Sequence, residues 1–424
     1  MHWLTSTFLV LLTAMTAVRL WLAARQIAAV RRGREAVPAP FTDSISLEQH
    51  HKAADYTTAV TRLGRVGAVV DALLILGWTL GGGLNLVTDL IGGLDFGPLL
   101  SGTLLIVVTM LLMSLLDLPL SAWRTFKVEA RFGFNRMTPG LFVSDLIKSA
   151  LLMLVIGTPL IGVVLWLMDA AGNLWWLYAW CVWVAFSLTL FYAYPAFIAP
   201  LFNRFSELSD DGLKRRIESL LTRCGFKASG VFVMDGSRRS SHGNAYFTGM
   251  GDKKRIVFFD TLLDSLDEDE IEAVLAHELG HFRRRHVRKR LIMGFAMALI
   301  GLALIGWLRE SPAVFAALGV DAPSDAMALL LAIIVSPVFT FPLTPLTAAL
   351  SRKDEFEADE YAAEQSDASA LVDALVKLYR DNSNTLTPDA AHSRFYDSHP
   401  PAPIRIARLS ELATGTGQPA AAGH

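Results

Sequence analysis

Apolar residues fall in seven long blocks, at residues 3–22, 66–87, 96–116, 149–168, 174–198, 291–308 and 326–350. Each is close to the roughly 20 residues that a helix needs to cross a bilayer. The pattern therefore predicts seven transmembrane helices. The last block contains Pro337, Pro342 and Pro345. They predict a kink whose freed backbone groups need neighbouring helices as partners. Two polar stretches are long enough to build a site: 203–290, and 351 to the end. The first reads as a helix over 211–224, a strand over 231–234, an extended piece over 244–250, a strand over 255–260 and a helix from Asp267 onward. The second reads as short helices ending in a disordered 414–424.

Composition sharpens this picture. The chain is 53% hydrophobic and only 18% charged, which is too apolar for a soluble protein of 424 residues. A net charge of −2 gives no reason to expect nucleic acid. The two cysteines, Cys181 and Cys224, fall in unlike surroundings and form no paired metal motif. No charge precedes Arg19, while Arg25, Arg31, Arg32 and Arg34 follow the first block, which is the order of an uncleaved anchor rather than a signal peptide. Counting spans alternately, one side collects Arg31, Arg32, Lys52, Arg62, Arg124, Lys127, Arg131, Lys214, Arg283, Arg284, Arg285 and Arg352, and the other only Arg309. Positive charge stays inside, so the N-terminus is expected outside and the polar stretches in the cytoplasm. The expected organisation is five spans in 1–202, a peptidase segment in 203–290, two spans in 291–350, a second peptidase segment in 351–413, and the tail 414–424.

The chemistry lies in Ala276-His277-Glu278-Leu279-Gly280-His281, an H-E-x-x-H motif. On a helix, positions i and i+4 share a face. Two imidazoles so placed bind one Zn²⁺, with the glutamate between them as general base. Asp267, Asp269 and Glu270 near the start and Arg283–Arg285 near the end suit the helix dipole. A peptidase zinc takes a third protein ligand, and Asp354, Glu355, Glu357, Asp359 and Glu360 are candidates. Spacing does not choose among them. Glu355 and Asp359 share a face, which lets one bind metal while the other orients a histidine. His286, about a turn past the motif, reads as a side chain facing substrate or solvent, with solvent preferred.

Further segments carry a resemblance. They are Phe132-Gly133-Phe134-Asn135, Ala199-Pro200-Leu201-Phe202-Asn203, Ser240-Ser241-His242-Gly243-Asn244-Ala245-Tyr246-Phe247, Ser351-Arg352-Lys353-Asp354-Glu355-Phe356-Glu357-Ala358-Asp359, and His399-Pro400-Pro401 followed by Arg405. With the zinc motif they run in the order of the type 1 CAAX prenyl proteases, the sterile-24-type integral-membrane zinc endopeptidases, which the chain resembles as far as Leu409. The resemblance implies a mainly α, multi-pass membrane protein with seven helices around a chamber. It implies a cytoplasmic α/β zinc-peptidase domain split across two segments and one Zn²⁺ per chain. It makes Glu355 the third ligand and Asp359 the partner that supports the ligands from behind. It places Asn244, with Ala245 and Tyr246, on an edge strand that pairs with an extended substrate. It brings His399 and Arg405 to the site. Arginine keeps its charge at any working pH, so Arg405 is expected to organise charge around Glu355 and Asp359, and His399 to face the developing oxyanion. Without the resemblance, His399-Pro400-Pro401 would read as a helix start.

The implied substrate is a peptide or lipidated protein cut near a prenyl-cysteine C-terminus, within membrane lipids. Alanine and arginine usage, compact loops and a C-terminus without a basic retrieval signal suggest a bacterial inner membrane, where quality control of membrane proteins is a second expectation. A heat-shock-type membrane protease has fewer spans. A transporter would put Asp71 or Asp117 on an ion path, but both lie near span ends. An inactive scaffold would have lost Glu278.

Overall fold

The computed structural model describes residues 2–248 and 255–413. Helices α1 (Trp3–Arg32) and α2 (Leu47–Trp78) lie against each other, and α2 starts on a capping box between Ser46 and Gln49. After a glycine break, α3 (Gly83–Gly92) continues at 47° to α2, with Gly82 at φ 79 making the bend. Next come α4 (Pro98–Trp123), α5 (Pro139–Leu152), α6 (Thr158–Ala170), α7 (Trp175–Ala193) and the short α8 (Ala199–Phe202). Turns of π-helix at Arg124–Glu129, Met153–Gly157 and Tyr194–Ile198 extend α4, join α5 to α6, and join α7 to α8. Among the described residues, six helices are long and apolar enough to cross a membrane, or seven if the bent α2–α3 pair is one span. The predicted span at 66–87 falls on that bent pair. Phe8, Leu84, Ile106, Met168 and Trp175 are almost fully buried where these helices meet.

The polar unit begins with β1 (Phe205–Glu207), α9 (Asp211–Arg223), β2 (Val231–Met234), β3 (Ala245–Thr248), β4 (Arg255–Phe259) and α10 (Asp260–Leu263). The strands form one sheet in the order β1-β2-β4-β3, with β2 and β4 parallel and the outer pairs antiparallel. β1 is new relative to the sequence reading, because three residues are too few to show alternation. The predicted 244–250 piece is strand from Ala245 to Thr248, and its end lies outside the described residues, as does the 414–424 tail. Ile256 and Phe258 of β4, Ile217 and Leu220 of α9, and Leu275 and Leu279 of the next helix share one core.

That helix, α11 (Glu268–Arg283), carries the H-E-x-x-H motif. Its start is secured by a capping box between Asp267 and Glu270, a device that satisfies two orphan N–H groups. Glu270 also meets Lys377 at 2.6 Å, and Glu272 pairs with Arg216 and Arg223. A turn through Arg285 leads straight into the membrane helix α12 (His286–Leu308), followed by α13 (Pro312–Ala317).

The second ligand-bearing element departs from expectation. The residues from 351 onward do not open as separate short helices. Helix α14 (Asp325–Thr340) passes through a 3-10 turn at Phe341–Leu343 into α15 (Thr344–Gln365), and the 41 residues run as one rod. The three prolines cluster at this junction, interrupting the hydrogen bonding without ending the helix. At 1.5 Å per residue such a rod is about 60 Å long, twice the bilayer's apolar thickness. Its polar half, with Glu355 and Asp359, therefore projects from the membrane. The chain closes with α16 (Ala368–Asp381), α17 (Ala390–Tyr396) and α18 (Ala402–Ala413). Arg25 of α1 grips Asp389 at the start of α17 with two hydrogen bonds of 3.0 Å.

α11 and α15 pack backbone to backbone. A Cβ on Gly280 would lie 2.9 Å from Ala358 Cα and 3.0 Å from its carbonyl oxygen. Ala273, Ala276, Ala358 and Ala362, all fully buried, keep the rest of this interface thin. Gly280→Ala should therefore force the helices apart and lower stability by about 1–3 kcal/mol, the usual cost of overpacking. Thermal unfolding of the purified protein measures it. An unchanged melting temperature would mean that the helices separate freely and that this contact does not set their distance.

Candidate metal centre

The close approach of α11 and α15 brings three donors together. His277 Nε2 is 3.2 Å from His281 Nε2, 3.4 Å from Glu355 Oε2, and His281 Nε2 is 3.3 Å from Glu355 Oε1. Tetrahedral ligands about 2.0–2.1 Å from a zinc-sized ion stand about 3.3–3.4 Å apart. The imidazole–imidazole spacing fits that edge length, and each imidazole has a different Glu355 oxygen at a similar distance. The donor set, two imidazoles and a carboxylate, suits the same ion. Glu355 is 3% exposed, and its Oε2 has no hydrogen-bond partner although it is buried. Oε2 faces His277 Nε2, and Oε1 faces His281 Nε2. A buried carboxylate oxygen left without a hydrogen bond is costly unless a cation compensates it.

The surroundings fix the first imidazole. His277 Nδ1 lies 2.9 Å from Asp359 Oδ1, one turn along α15 from Glu355. Donation from Nδ1 leaves the Nε2 lone pair directed at the cluster. Burial works to lower the pKa of His277, but its bonds to Asp359 and Glu355 raise it to about 9, which marks a strongly basic ring. Arg405, 5% exposed in the first turn of α18, holds Asp359 through Nε at 2.8 Å and Nη2 at 2.6 Å. Its Nη1 is 3.8 Å from Glu355 Oε2. Burial works against the Arg405 charge, and Asp359 more than restores it, holding the guanidinium pKa above its ordinary value. The start of α18 is set by Tyr379, whose hydroxyl accepts the N–H of Ala402 at 3.1 Å.

Glu278 follows His277 on α11, and burial pushes its carboxyl pKa above the ordinary glutamate range. His399 stands in the loop before α18, its side chain 63% exposed and its Nε2 3.4 Å from Glu355 Oε1. Its Nδ1 meets Ser398 Oγ at 2.9 Å. Arg352 of α15 pins this loop by donating to the Asp397 carbonyl at 2.7 Å. Asn244 precedes β3, the end strand of the sheet on the α11 side, where Phe247 meets Phe282 edge-on. Asn244 accepts the N–H of Phe259 with its carbonyl and the N–H of Ala245 with Oδ1. Ala245 and Tyr246 pair in register with Phe258 and Val257 of β4.

One expectation is overturned. His286 is not solvated: it is 1% exposed and packs against His281 with Nδ1 to Nδ1 at 3.0 Å. The sequence showed a histidine flanked by arginines, and nothing in it marks the Arg285 turn that folds His286 inward. Gly280 is the other residue whose importance the motif reading passed over.

The comparisons with known proteins agree with this geometry. Residues 26–204 match the family model described as CAAX prenyl protease N-terminal, five membrane helices, and residues 207–413 match Peptidase family M48. CAAX prenyl protease 1 of Saccharomyces cerevisiae is 33% identical over 416 residues, covering 88% of each chain. A CAAX prenyl protease 1 homolog of Arabidopsis thaliana is 36% identical over 295 residues, 68% of this chain and 69% of the relative. The crystal structure of S. mikatae Ste24p superposes with a TM-score of 0.89 at 28% identity, covering 96% of this chain and 99% of that one. The two family models between them span most of the chain, and the chain belongs to peptidase family M48 as a multi-pass membrane metallopeptidase of the type 1 CAAX prenyl protease group.

Proposed function

We propose that the chain is a zinc endopeptidase that hydrolyses CAAX-type, prenylated protein substrates near their C-terminus. The observation that carries this reading is the trio of donors, His277, His281 and Glu355, at 3.2–3.4 Å from one another with an orphaned carboxylate oxygen among them. These three residues would hold one Zn²⁺, which when bound supplies a Lewis acid that polarises a carbonyl and makes water more acidic.

The protein's own groups supply the rest. Glu278 is the general base: it takes a proton from the attacking water and returns it to the amine as the C–N bond breaks. Burial suits it to both tasks, because a carboxyl with a raised pKa is a better base and releases its proton nearer neutrality. Asp359 and Arg405 do not touch the reacting atoms; they keep His277 in the required tautomer. His399 donates to the oxyanion from the open side of the site, a role favoured by its exposure and its place beside Glu355. Asn244, Ala245 and Tyr246 receive the substrate as an added strand. β3 supports this, because among the described residues it pairs with β4 on one edge and with no strand on the other.

The basic residues cluster on the side of α11 and α15, which favours a cytoplasmic site and an external N-terminus. The alanine- and arginine-rich composition favours a bacterial inner membrane. A C-terminal reporter active only outside the cell would overturn that orientation.

The reading is tested by mass spectrometry of products from a farnesylated peptide and a matched unmodified one. The natural chain should cut the farnesylated peptide near the modified cysteine. Equal cutting of both would favour a broader quality-control substrate range, and cutting of neither would sink the proposal. In the same assay Glu278→Gln should keep its metal and lose about 10²–10⁴-fold in turnover. His399→Ala should keep its metal and KM and lose about 10²-fold in kcat. Loss of metal or misfolding in His399→Ala would instead make that residue the helix start that its prolines suggest.

A further inference from the structure

The two histidines of the cluster are oriented by different means. His277 leans on a carboxylate directly. His281 Nδ1 has instead a second imidazole, His286, at 3.0 Å, with the rings tilted by 72°. His286 Nε2 in turn lies 3.1 Å from Glu357 Oε2 and 3.5 Å from Asp354 Oδ1 on α15.

Only one assignment of protons satisfies every contact together with metal binding. His281 Nε2 faces Glu355 and His277 Nε2 and must present a lone pair there, so its proton sits on Nδ1. That proton needs an acceptor, and His286 Nδ1 is the atom in reach. His286 then carries its own proton on Nε2, where it donates to Glu357. We propose that His286 is a positioning residue for the metal site: it accepts the Nδ1–H of His281 and, tied to Glu357, holds that ring with Nε2 directed at the cluster.

A backbone observation supports this independently. Arg285, which joins α11 to α12, has φ 59 and ψ 33. A non-glycine residue rarely adopts this left-handed conformation, and it persists where the surroundings over-determine it. Here it turns the chain so that the first residue of α12 folds back under the last turn of α11. The same three side chains, His286, Asp354 and Glu357, also lie close enough to hold an ion of their own. The cations around them argue otherwise. Arg290 reaches Asp354 at 3.2 Å, and Lys289 and Lys353 each stand 3.9 Å from Glu357. The carboxylates are already compensated, which fits a relay better than a second metal.

The inference rests on the zinc assignment above, and the experiment separates the two. The natural chain, His286→Leu and His286→Asn are purified, and their affinity for zinc is measured by competition with a chelator, together with zinc content and the melting temperature after chelation. Leucine fills the space without an acceptor, and asparagine puts an oxygen near the position of Nδ1. The expected result is one zinc per natural chain, a loss of about 10–100-fold in affinity for His286→Leu, substantial recovery in His286→Asn, and similar melting temperatures for the chelated proteins. Unchanged affinity in His286→Leu would overturn the proposal. So would equal losses in both variants with lowered melting temperatures, which would make His286 a packing residue. A natural chain with two zinc ions, one of them lost in His286→Leu, would make the cluster a metal site in its own right. A natural chain that binds no zinc would remove the metal assignment and this inference together.

Discussion

Two helix backbones meet where a side chain on either would keep them apart. Gly280 of α11 faces the main chain of Ala358 of α15, and the flanking alanines leave no bulk between them. Gly280 directly precedes His281, and Ala358 lies between Glu355 and Asp359. The distance between the helices therefore sets the distance between imidazole and carboxylate. A fraction of an ångström of separation would spoil the 3.2–3.4 Å spacing of the donors. Both helices are also continuous with membrane spans, α11 through the tight turn at Arg285 into α12, and α15 through the proline junction from α14. The site is held by the membrane domain as well as by the small sheet, and this keeps it at the mouth of the spans.

Around that contact the charges are layered. Glu355, Asp359 and Arg405 are each no more than 5% exposed. Removing such groups from water costs several kcal/mol per ion unless each finds partners. Asp359 does so through Arg405 and His277, and Arg405 through Asp359, with Glu355 nearby. Glu355 Oε2 is the atom left over. The arrangement is satisfied everywhere except where a metal would bind, which is how a preorganised cation site differs from an ordinary buried ion pair.

Much of this was legible in the residues, for identifiable reasons. The spans were readable because burial in lipid demands long unbroken apolar runs, but the α2–α3 bend escaped, since glycines mark a break without giving its angle. The α11 helix was readable from its cap and its i, i+4 histidines. Spacing alone left five acids as possible partners, because a helix face cannot be assigned without knowing what packs against it. Family resemblance singled out Glu355, and the geometry has it facing both histidines. His286 was misplaced because its neighbours Arg283–Arg285 suggest solvent, whereas a single left-handed residue turns it inward. The continuity of α14 with α15 was hidden by Pro337, Pro342 and Pro345, which usually end helices but here only interrupt one.

The claim on which the rest depends is that α15 supplies the third metal ligand through Glu355. Elemental analysis of zinc in purified Glu355→Ala tests it most directly, beside the natural chain and Glu360→Ala, a neighbouring acid that pairs with Arg408 instead. The account predicts about one zinc per chain in the natural protein and in Glu360→Ala, with most of it lost in Glu355→Ala while the fold is retained. A full complement of zinc in Glu355→Ala would contradict it.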